Sequence, residues 1–338
     1  MELDPVVDAS APLTGSDTGN IVVRIPGNAA GPTILLCAHM DTVGPTEGMV
    51  PVLRDGVIYS NGETVLGADD KAGIAMILAA LAGILEDGSR HGPVEVLFTV
   101  QEENGLFGAR YLQADLKADF GYIVDGDGPV GTIDNRSPSK IDVHFTVKGK
   151  AAHAARPESG INAIVVASSA IAGIKGGRID EDTTANIGLI SGGKAINIVP
   201  DRAEISCEFR GFDGEKLERE VRKAVEAFND AAREFGAGVD VSREVGFETF
   251  NVPESHPVVV NAFHAAKSAG IEPKLQRTGG GMDANVFNGR GLPCVGLGMG
   301  ARNEHTPDES ISVSQLREGA RFIKNLLTAA VSKGPEQV

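Results

Sequence analysis

Acids and histidines recur at the ends of apolar runs in this chain. "LLCAHMDTVG" carries His39 and Asp41, "LGADDKAG" Asp69 and Asp70, "TVQEENG" Glu102 and Glu103, "YIVDGDG" Asp125 and Asp127, and "NEHTPDE" His305. Each has an ordinary explanation when taken singly. A His-X-Asp triplet at a strand end is commonly a capped turn. Asp69 and Asp70 before a helix serve as an N-cap and a dipole-matched acid. Glu102-Glu103 fits a solvated loop, Asp125 a turn, and His305 a surface loop. Their recurrence argues for more. Carboxylates that converge raise one another's pKa values, and divalent cations relieve that conflict. Two histidines, several carboxylates and no cysteine suit Zn²⁺, Co²⁺ or Mn²⁺ better than Ca²⁺ or an iron–sulfur cluster. Two ions sharing one carboxylate can clamp a water, which then needs a base. Adjacent residues at a strand end diverge, so Glu103 can be a ligand while Glu102 serves as that base.

The elements that position these side chains alternate along the first part of the chain. "NIVVRIP", "PTILLCAHMD", "PVEVLFTV" and "FGYIVDGDG" read as strands, the last two continuously apolar, as in a parallel sheet covered on both faces. "MVPVLRDGVIYSNG" reads as a hairpin turning at Asp55-Gly56. "DDKAGIAMILAALAGILEDG" reads as a helix ending near Gly88. In open α/β sheets ligands bind beyond the carboxyl ends of the strands, where these acids fall. The style changes near Arg136. "SKIDVHFTVKG" alternates, with Ile141, Val143, Phe145 and Val147 inward, and the elements that follow run β-α-β-β-α-β, a ferredoxin-like order. From about Asn251 the α/β style returns. The fold class expected is therefore an α/β catalytic domain (residues 1–135 and 251–338) with an inserted ferredoxin-like βαββαβ domain (residues 136–250).

Bulk properties exclude several classes. The 338 residues allow two domains with cores, and 42% hydrophobic with 23% charged residues is ordinary globular composition. A net charge of −15 disfavours nucleic acid and anionic membrane surfaces. "MELDPVVDAS" has no basic or apolar leader character. "AGIAMILAALAGIL" is too short to span a bilayer. Cys37, Cys207 and Cys294 lie in apolar or strand-like runs without a CxxC, which suits buried free thiols in a reducing cytoplasm.

"AHMDTV", "LGADDKAG", "TVQEENG", "YIVDGDG" and "NEHTPDE", in this order and spacing, resemble the co-catalytic zinc exopeptidases of the aminoacylase/carboxypeptidase superfamily. "LGADDKAG", "TTANIG" and "GGGMDANVF" resemble its peptidase T-like (tripeptidase-like) branch. The resemblance implies two Zn²⁺ per chain, with Co²⁺ or Mn²⁺ as substitutes. It implies His39, Asp69 and Asp125 on one ion and Asp69, Glu103 and His305 on the other. Asp41 would orient His39, Asp70 would be structural after a cis Asp69–Asp70 peptide, and Glu102 would be the base. The inserted domain resembles the family's lid and dimerisation domain, which implies a homodimer. There His153 of "GKAAHAARPESG" would hold the oxyanion, reaching the neighbouring subunit in dimeric relatives. Asn197 and Arg210 would bind the substrate's carboxylate or backbone, a strand-face ion pair being the other reading of Arg210. Asp283 and Asn285 of "GGGMDANVF" would be substrate contacts or helix caps. The family pattern also implies a helix before "GNIVVRIPG", where this chain has the non-helical-looking "MELDPVVDASAPLTGSDT".

The function expected is hydrolysis of short peptides by a dinuclear metallo-exopeptidase. An N-acyl amino acid amidohydrolase or a carboxypeptidase would use the same centre with a different pocket. A catalytically inactive dimeric scaffold is a third reading, opposed by the presence of every ligand and the base. A closed structural zinc site would use Cys and His rather than carboxylates.

Overall fold

The structure, a computed structural model, describes residues 3–331. It divides into two compact units, one comprising the chain up to Ser137 and from Phe250 onward, the other Pro138–Thr249.

The first unit is α/β, built on a mixed sheet with a parallel centre. Strands Val94–Thr99, Ile34–His39, Phe120–Gly126 and Cys294–Gly298 lie side by side and parallel. Antiparallel strands Ile21–Ile25 and Thr132–Ser137 flank them. Every residue of Ile34–His39, Val94–Thr99 and Cys294–Gly298 is buried. A strand with no exposed residue has both faces covered, which is why these runs are continuously apolar rather than alternating. Parallel strands end on the same side, so His39 and the residues after Thr99 and around Asp125 emerge together. The register Cys37↔Ile123 puts Asp125 level with His39.

Helix Ala68–Asp87 packs on this sheet and stops at Gly88 in the left-handed region, φ 65°. Its first turn is irregular at Asp69 and Asp70, and the peptide between them is cis. Gly73 lets this turn approach the sheet. A Cβ there would lie 2.3 Å from both the Val124 carbonyl oxygen and Asp70 Oδ1, so any side chain would push the helix off the strand. The Asp55-Gly56 hairpin forms as expected, and its second strand, Val57–Tyr59, also pairs with Ser310–Ser312. The amino-terminal stretch differs from expectation. Val6–Val7 pairs with Ile21–Val22, and Ala11–Thr14 forms one helical turn, with proline in its first positions and Gly15 closing it. Four residues are too few for a helical period to show. The sequence "SVSQLREGARFIKNLLTAAVSK" reads as a closing helix; its last residues, Ser332 and Lys333, lie outside the described residues, and the helix runs Val313–Ala329. No helix among the described residues is long and apolar enough to cross a membrane.

Strand Thr132–Ser137 carries an unusual acid. Asp134 is fully buried, and neither carboxylate oxygen makes a hydrogen bond of normal geometry. Burial pushes its carboxyl up to about 7, against the Gln276 side chain and with the help of the Asp127 charge. The folded state therefore keeps a proton that the unfolded chain releases near pH 4. That stabilisation is complete at low pH and is lost as pH rises through about 7. Asp134→Asn is expected to stabilise the protein at pH 8 by on the order of 1–3 kcal/mol, and by much less at pH 4. Urea unfolding at both pH values checks this; equal effects at the two would overturn it.

The second unit orders its strands Gly177–Arg178, Thr183–Gly192, Arg202–Gly211, Ser139–Lys148 and Gly238–Phe247, all antiparallel. Helices Ala163–Ala172 and Gly214–Phe235 follow the first and third long strands, which is the β-α-β-β-α-β order. Ile141, Val143, Phe145 and Val147 are buried and alternate with more exposed neighbours, as one covered sheet face requires. Phe145 stacks on Phe228 of the longer helix, ring centroids 3.8 Å apart. Asp213 caps that helix by accepting from the Lys216 N–H.

Candidate metal centre

Asp69 sits between two imidazoles. Its Oδ1 lies 2.9 Å from His39 Nε2 and its Oδ2 3.1 Å from His305 Nε2. Asp125 approaches the His39 side, Oδ1 3.7 Å from Nε2. Glu103 approaches the other side, Oε1 3.1 Å from His305 Nε2. One carboxylate thus faces two clusters, each completed by a second histidine-and-acid pair. These five residues line a cavity of about 290 Å³ together with Glu102, Asp127 and Glu304. Glycines Gly280 and Gly281 form part of the wall.

The chain orients these groups through backbone contacts. His39 Nδ1 lies 3.1 Å from the Asp41 carbonyl oxygen, which can only accept. Nδ1 therefore carries a proton, and Nε2, which faces Asp69 and Asp125, is the nitrogen that would offer its lone pair to an ion. The Asp41 carboxylate is farther from the ring, 3.6 Å, and does something the sequence did not suggest. Its two oxygens accept the N–H groups of Glu102 (3.0 Å) and Glu103 (3.2 Å), so it holds the double-glutamate turn in place. Asp70 also lies near His39 and Asp125. Both its oxygens are taken by the His39 and Gly73 N–H groups, which makes it a structural acid rather than a free donor.

Glu309 was not singled out from the sequence, although it lies in "NEHTPDE". It is buried, and its carboxylate accepts from Gly67 N (2.7 Å) and Asp69 N (2.9 Å), fixing the backbone that carries Asp69. Glu309→Ala leaves two buried N–H groups without acceptors. Metal retained after dialysis is expected to fall by roughly 10-fold or more, and Glu309→Gln to recover part of it. Unchanged metal content in a folded Glu309→Ala protein would show that the clamp is dispensable.

The electrostatics express a conflict between like charges. Burial and the neighbouring Asp125 push Glu102 well above the usual carboxylate range. Burial likewise takes Asp125 up to about 7, although His39 opposes it. Glu103 is raised by burial and by Asp69. Burial also disfavours the Asp69 anion, but the two imidazoles outweigh it and hold its carboxyl low. Among the described residues, no lysine or arginine lines the cavity to offset these acids. The donor set, two imidazoles and carboxylates in a pocket without basic side chains, fits divalent metal ions.

The remaining sequence candidates are elsewhere. Asp283 is buried, with Oδ2 accepting from Thr99 Oγ1 at 2.6 Å, and Asn285 is buried against Ser137 and the Met282 N–H. Asn285 closes the capping box at the start of helix Asp283–Gly289, Asp283 is held by Thr99 and Cys37, and neither is among the residues that line the cavity. In the second unit, His153 is exposed on a ribbon made by Ala152–His153 and Ile198–Val199, and the Asn197 carbonyl accepts from Ala154 N beside it. His153 Nδ1 accepts from Ala155 N, so the neutral ring presents Nε2–H outward as a donor. Arg210 is paired with Glu208, Nε to Oε1 2.8 Å, and lies over the Phe247 ring. Three of the four histidines outside the motifs have local roles: His91 is buried against the Gly92 carbonyl, His144 meets Ser206, and His256 caps a helix.

A carboxylate-and-imidazole centre at the mouth of a parallel sheet defines a metal-dependent α/β enzyme. The chain belongs to the peptidase family M20/M25/M40, whose family model matches residues 35–329. It is a metallopeptidase, a hydrolase acting on peptide bonds. It is 31% identical over 331 residues to Peptidase T of Escherichia fergusonii, covering 94% of this chain and 78% of that one. The crystal structure of aminopeptidase PepT from Bacillus cereus superposes with a TM-score of 0.90 at 40% identity, over 97% of this chain and 89% of that one. A tripeptidase structure from Staphylococcus aureus gives 0.94 at 36% identity, over 97% and 88%.

Proposed function

We propose that this metallopeptidase removes the amino-terminal residue from short peptides, tripeptides foremost, at a centre of two divalent ions. The observation that carries the reading is Asp69, whose two oxygens address two separate imidazoles. His39, Asp69 and Asp125 would hold one ion, and Asp69, Glu103 and His305 the other, with zinc the first choice for this nitrogen-and-oxygen set. When bound, such a pair supplies Lewis acidity and makes a water acidic enough to attack near neutral pH. Glu102 takes the proton of that water and returns it to the leaving amine as the C–N bond breaks. Asp41 keeps Glu102 and Glu103 on their separate tasks by holding both backbone N–H groups. His153 offers a ring N–H suited to a developing oxyanion. The names of the relatives, an aminopeptidase and a tripeptidase, support the amino-end reading.

The second unit serves in this reading as lid and dimerisation domain. The outer edge of Thr183–Gly192 is paired only at Thr184 and Ala185. Beyond that it shows Leu189 and Ile190, 70% and 57% exposed, and Val165 is exposed on the unit's shorter helix. An open apolar edge invites a second copy of the chain. Leu189→Lys with Ile190→Glu is expected to give a monomer in sedimentation runs; an unchanged species would remove this edge as the interface. The three buried free thiols suit a reducing compartment, the cytoplasm.

Elemental analysis of freshly purified protein, beside hydrolysis of tripeptides, dipeptides and N-acyl amino acids, tests the function. Two metals per chain with release of the amino-terminal residue supports it. Turnover of N-acyl amino acids alone moves the assignment to an amidohydrolase, and release from the carboxyl end to a carboxypeptidase.

A further inference from the structure

We propose that a second cavity of the first unit binds a small phosphate-bearing anion, at a site separate from the metal centre. This cavity measures about 610 Å³ and shares no lining residue with the metal cavity.

It lies on one face of a small antiparallel sheet. Arg302 stands opposite Ser310, and Ser310 opposite Tyr59. Two positions along, Ser312 stands opposite Val57, and Val57 opposite Arg54. Directly paired residues share a face, and so do residues two apart on a strand. The other face turns Ile58 and Ile311 to the core. The sheet thus gives its polar side chains to the cavity, which Tyr59, Arg302, Ser310 and Ser312 all line. Helix Val313–Ala329 starts at the same place, with Ser314 and Gln315 in the wall. The amino end of a helix of this length carries about half a positive charge.

Charge selects the kind of ligand. The chain has a net charge of −15, yet neither Arg302 nor Arg54 has an acidic partner among the described residues. No acid among the described residues lines the cavity. An independent observation also points to a bound molecule. Ser310 is only 6% exposed and lines the cavity, and its hydroxyl makes no hydrogen bond among the described residues. Buried hydroxyls are normally satisfied, so the missing partner comes from a ligand. The neighbouring serines add a donor. Ser312 Oγ accepts from Gln315 N at 3.2 Å and lies 2.9 Å from Ser314 Oγ. Whichever of these two hydroxyls donates to the other, one O–H is left to donate elsewhere.

An arginine fork, serine and tyrosine hydroxyls and a helix start approach one space from several sides. A flat carboxylate with two oxygens meets only part of this set. A tetrahedral phosphate, with three charged oxygens, meets it from each side. The cavity is larger than a phosphate group alone needs, and the Tyr59 ring offers a surface for an organic body attached to it.

The test follows binding of adenosine monophosphate, inorganic phosphate and succinate to the metal-loaded protein by calorimetry. A dinuclear metal centre also attracts phosphate, so Arg302→Gln and Ser310→Asp separate the two sites, with metal content measured on the same samples. Adenosine monophosphate is expected to bind the parent, and to bind Arg302→Gln roughly 10- to 100-fold more weakly, the contribution of a charge-assisted hydrogen bond. Ser310→Asp sets a carboxylate in the seat and is expected to abolish this binding. If that variant does not fold, Arg302→Gln decides alone. Inorganic phosphate that binds as tightly, with the same loss, makes the free ion the occupant; weaker phosphate makes it an ester. Phosphate-probe affinities unchanged in folded Arg302→Gln, or absent from the parent, overturn the site. Succinate bound as tightly as the phosphate probes, with the same loss in Arg302→Gln, overturns the choice of phosphate.

Discussion

Replacing Glu102 by Gln is expected to leave two metal ions and an intact fold and to lower kcat by on the order of 10²–10⁴-fold, the usual contribution of a general base. The substitution keeps size and shape and removes only the ability to accept a proton. The turn that carries Glu102 is held by its backbone N–H on Asp41, which the change does not touch. The residue is 8% exposed and lines the cavity, so in the proposed role the proton it would carry passes from attacking water to leaving amine within a shielded site. KM is expected to change little, since the lost interaction exists in the transition state and not in the bound ground state. Single-turnover rates with metal content measured on the same sample check this. Turnover near that of the parent would sink the assigned role, and loss of metal would recast Glu102 as a ligand.

The parts of the molecule legible in the sequence are those written in local pattern. The parallel strands announce themselves as unbroken apolar runs because both faces are covered, and Ser139–Lys148 by strict alternation because one face is. His39, Glu102, Glu103 and Asp125 were visible because each stands at the end of such a run, and Asp69 because it opens a helix. What stayed hidden depends on contacts between distant positions. Glu309 reaches Asp69 across 240 residues, and nothing around it distinguishes a clamp from a surface acid. Asp41 was read as the partner of its near neighbour His39, 3.6 Å away, and its carboxylate in addition holds two N–H groups more than sixty positions away. Asp283 and Asn285 stand beside a glycine run that does line the cavity, yet helix geometry turns both inward. Side-chain direction at a helix start cannot be taken from a motif. The pairing of Val57–Tyr59 with Ser310–Ser312 is likewise long-range, and only the hairpin half of that sheet shows a turn signal.

Asp69→Ala is expected to remove both metals, with an effect on activity larger than that of Glu102→Gln. The reason is the division of its two oxygens, 2.9 Å to His39 Nε2 and 3.1 Å to His305 Nε2. Without this side chain, His39 keeps Asp125, the nearby Asp70 being taken up by backbone N–H groups, and His305 keeps Glu103, which would have to serve both sides. Two protein donors are fewer than the three that catalytic zinc sites ordinarily use, and neither half is a self-sufficient site. The backbone cost is small, because alanine retains the N–H that Glu309 accepts. The protein should therefore fold, by far-UV circular dichroism and urea unfolding, while metal per chain drops from two to well below one after dialysis. The carboxylates left in the cavity then repel one another without a counter-charge, so added Zn²⁺ should raise the thermal midpoint far less than it does for the metal-stripped parent. Retention of two ions would contradict the bridging role. Retention of one would restrict Asp69 to a single ion, and would show which of the remaining pairs, His39 with Asp125 or His305 with Glu103, recruits another donor.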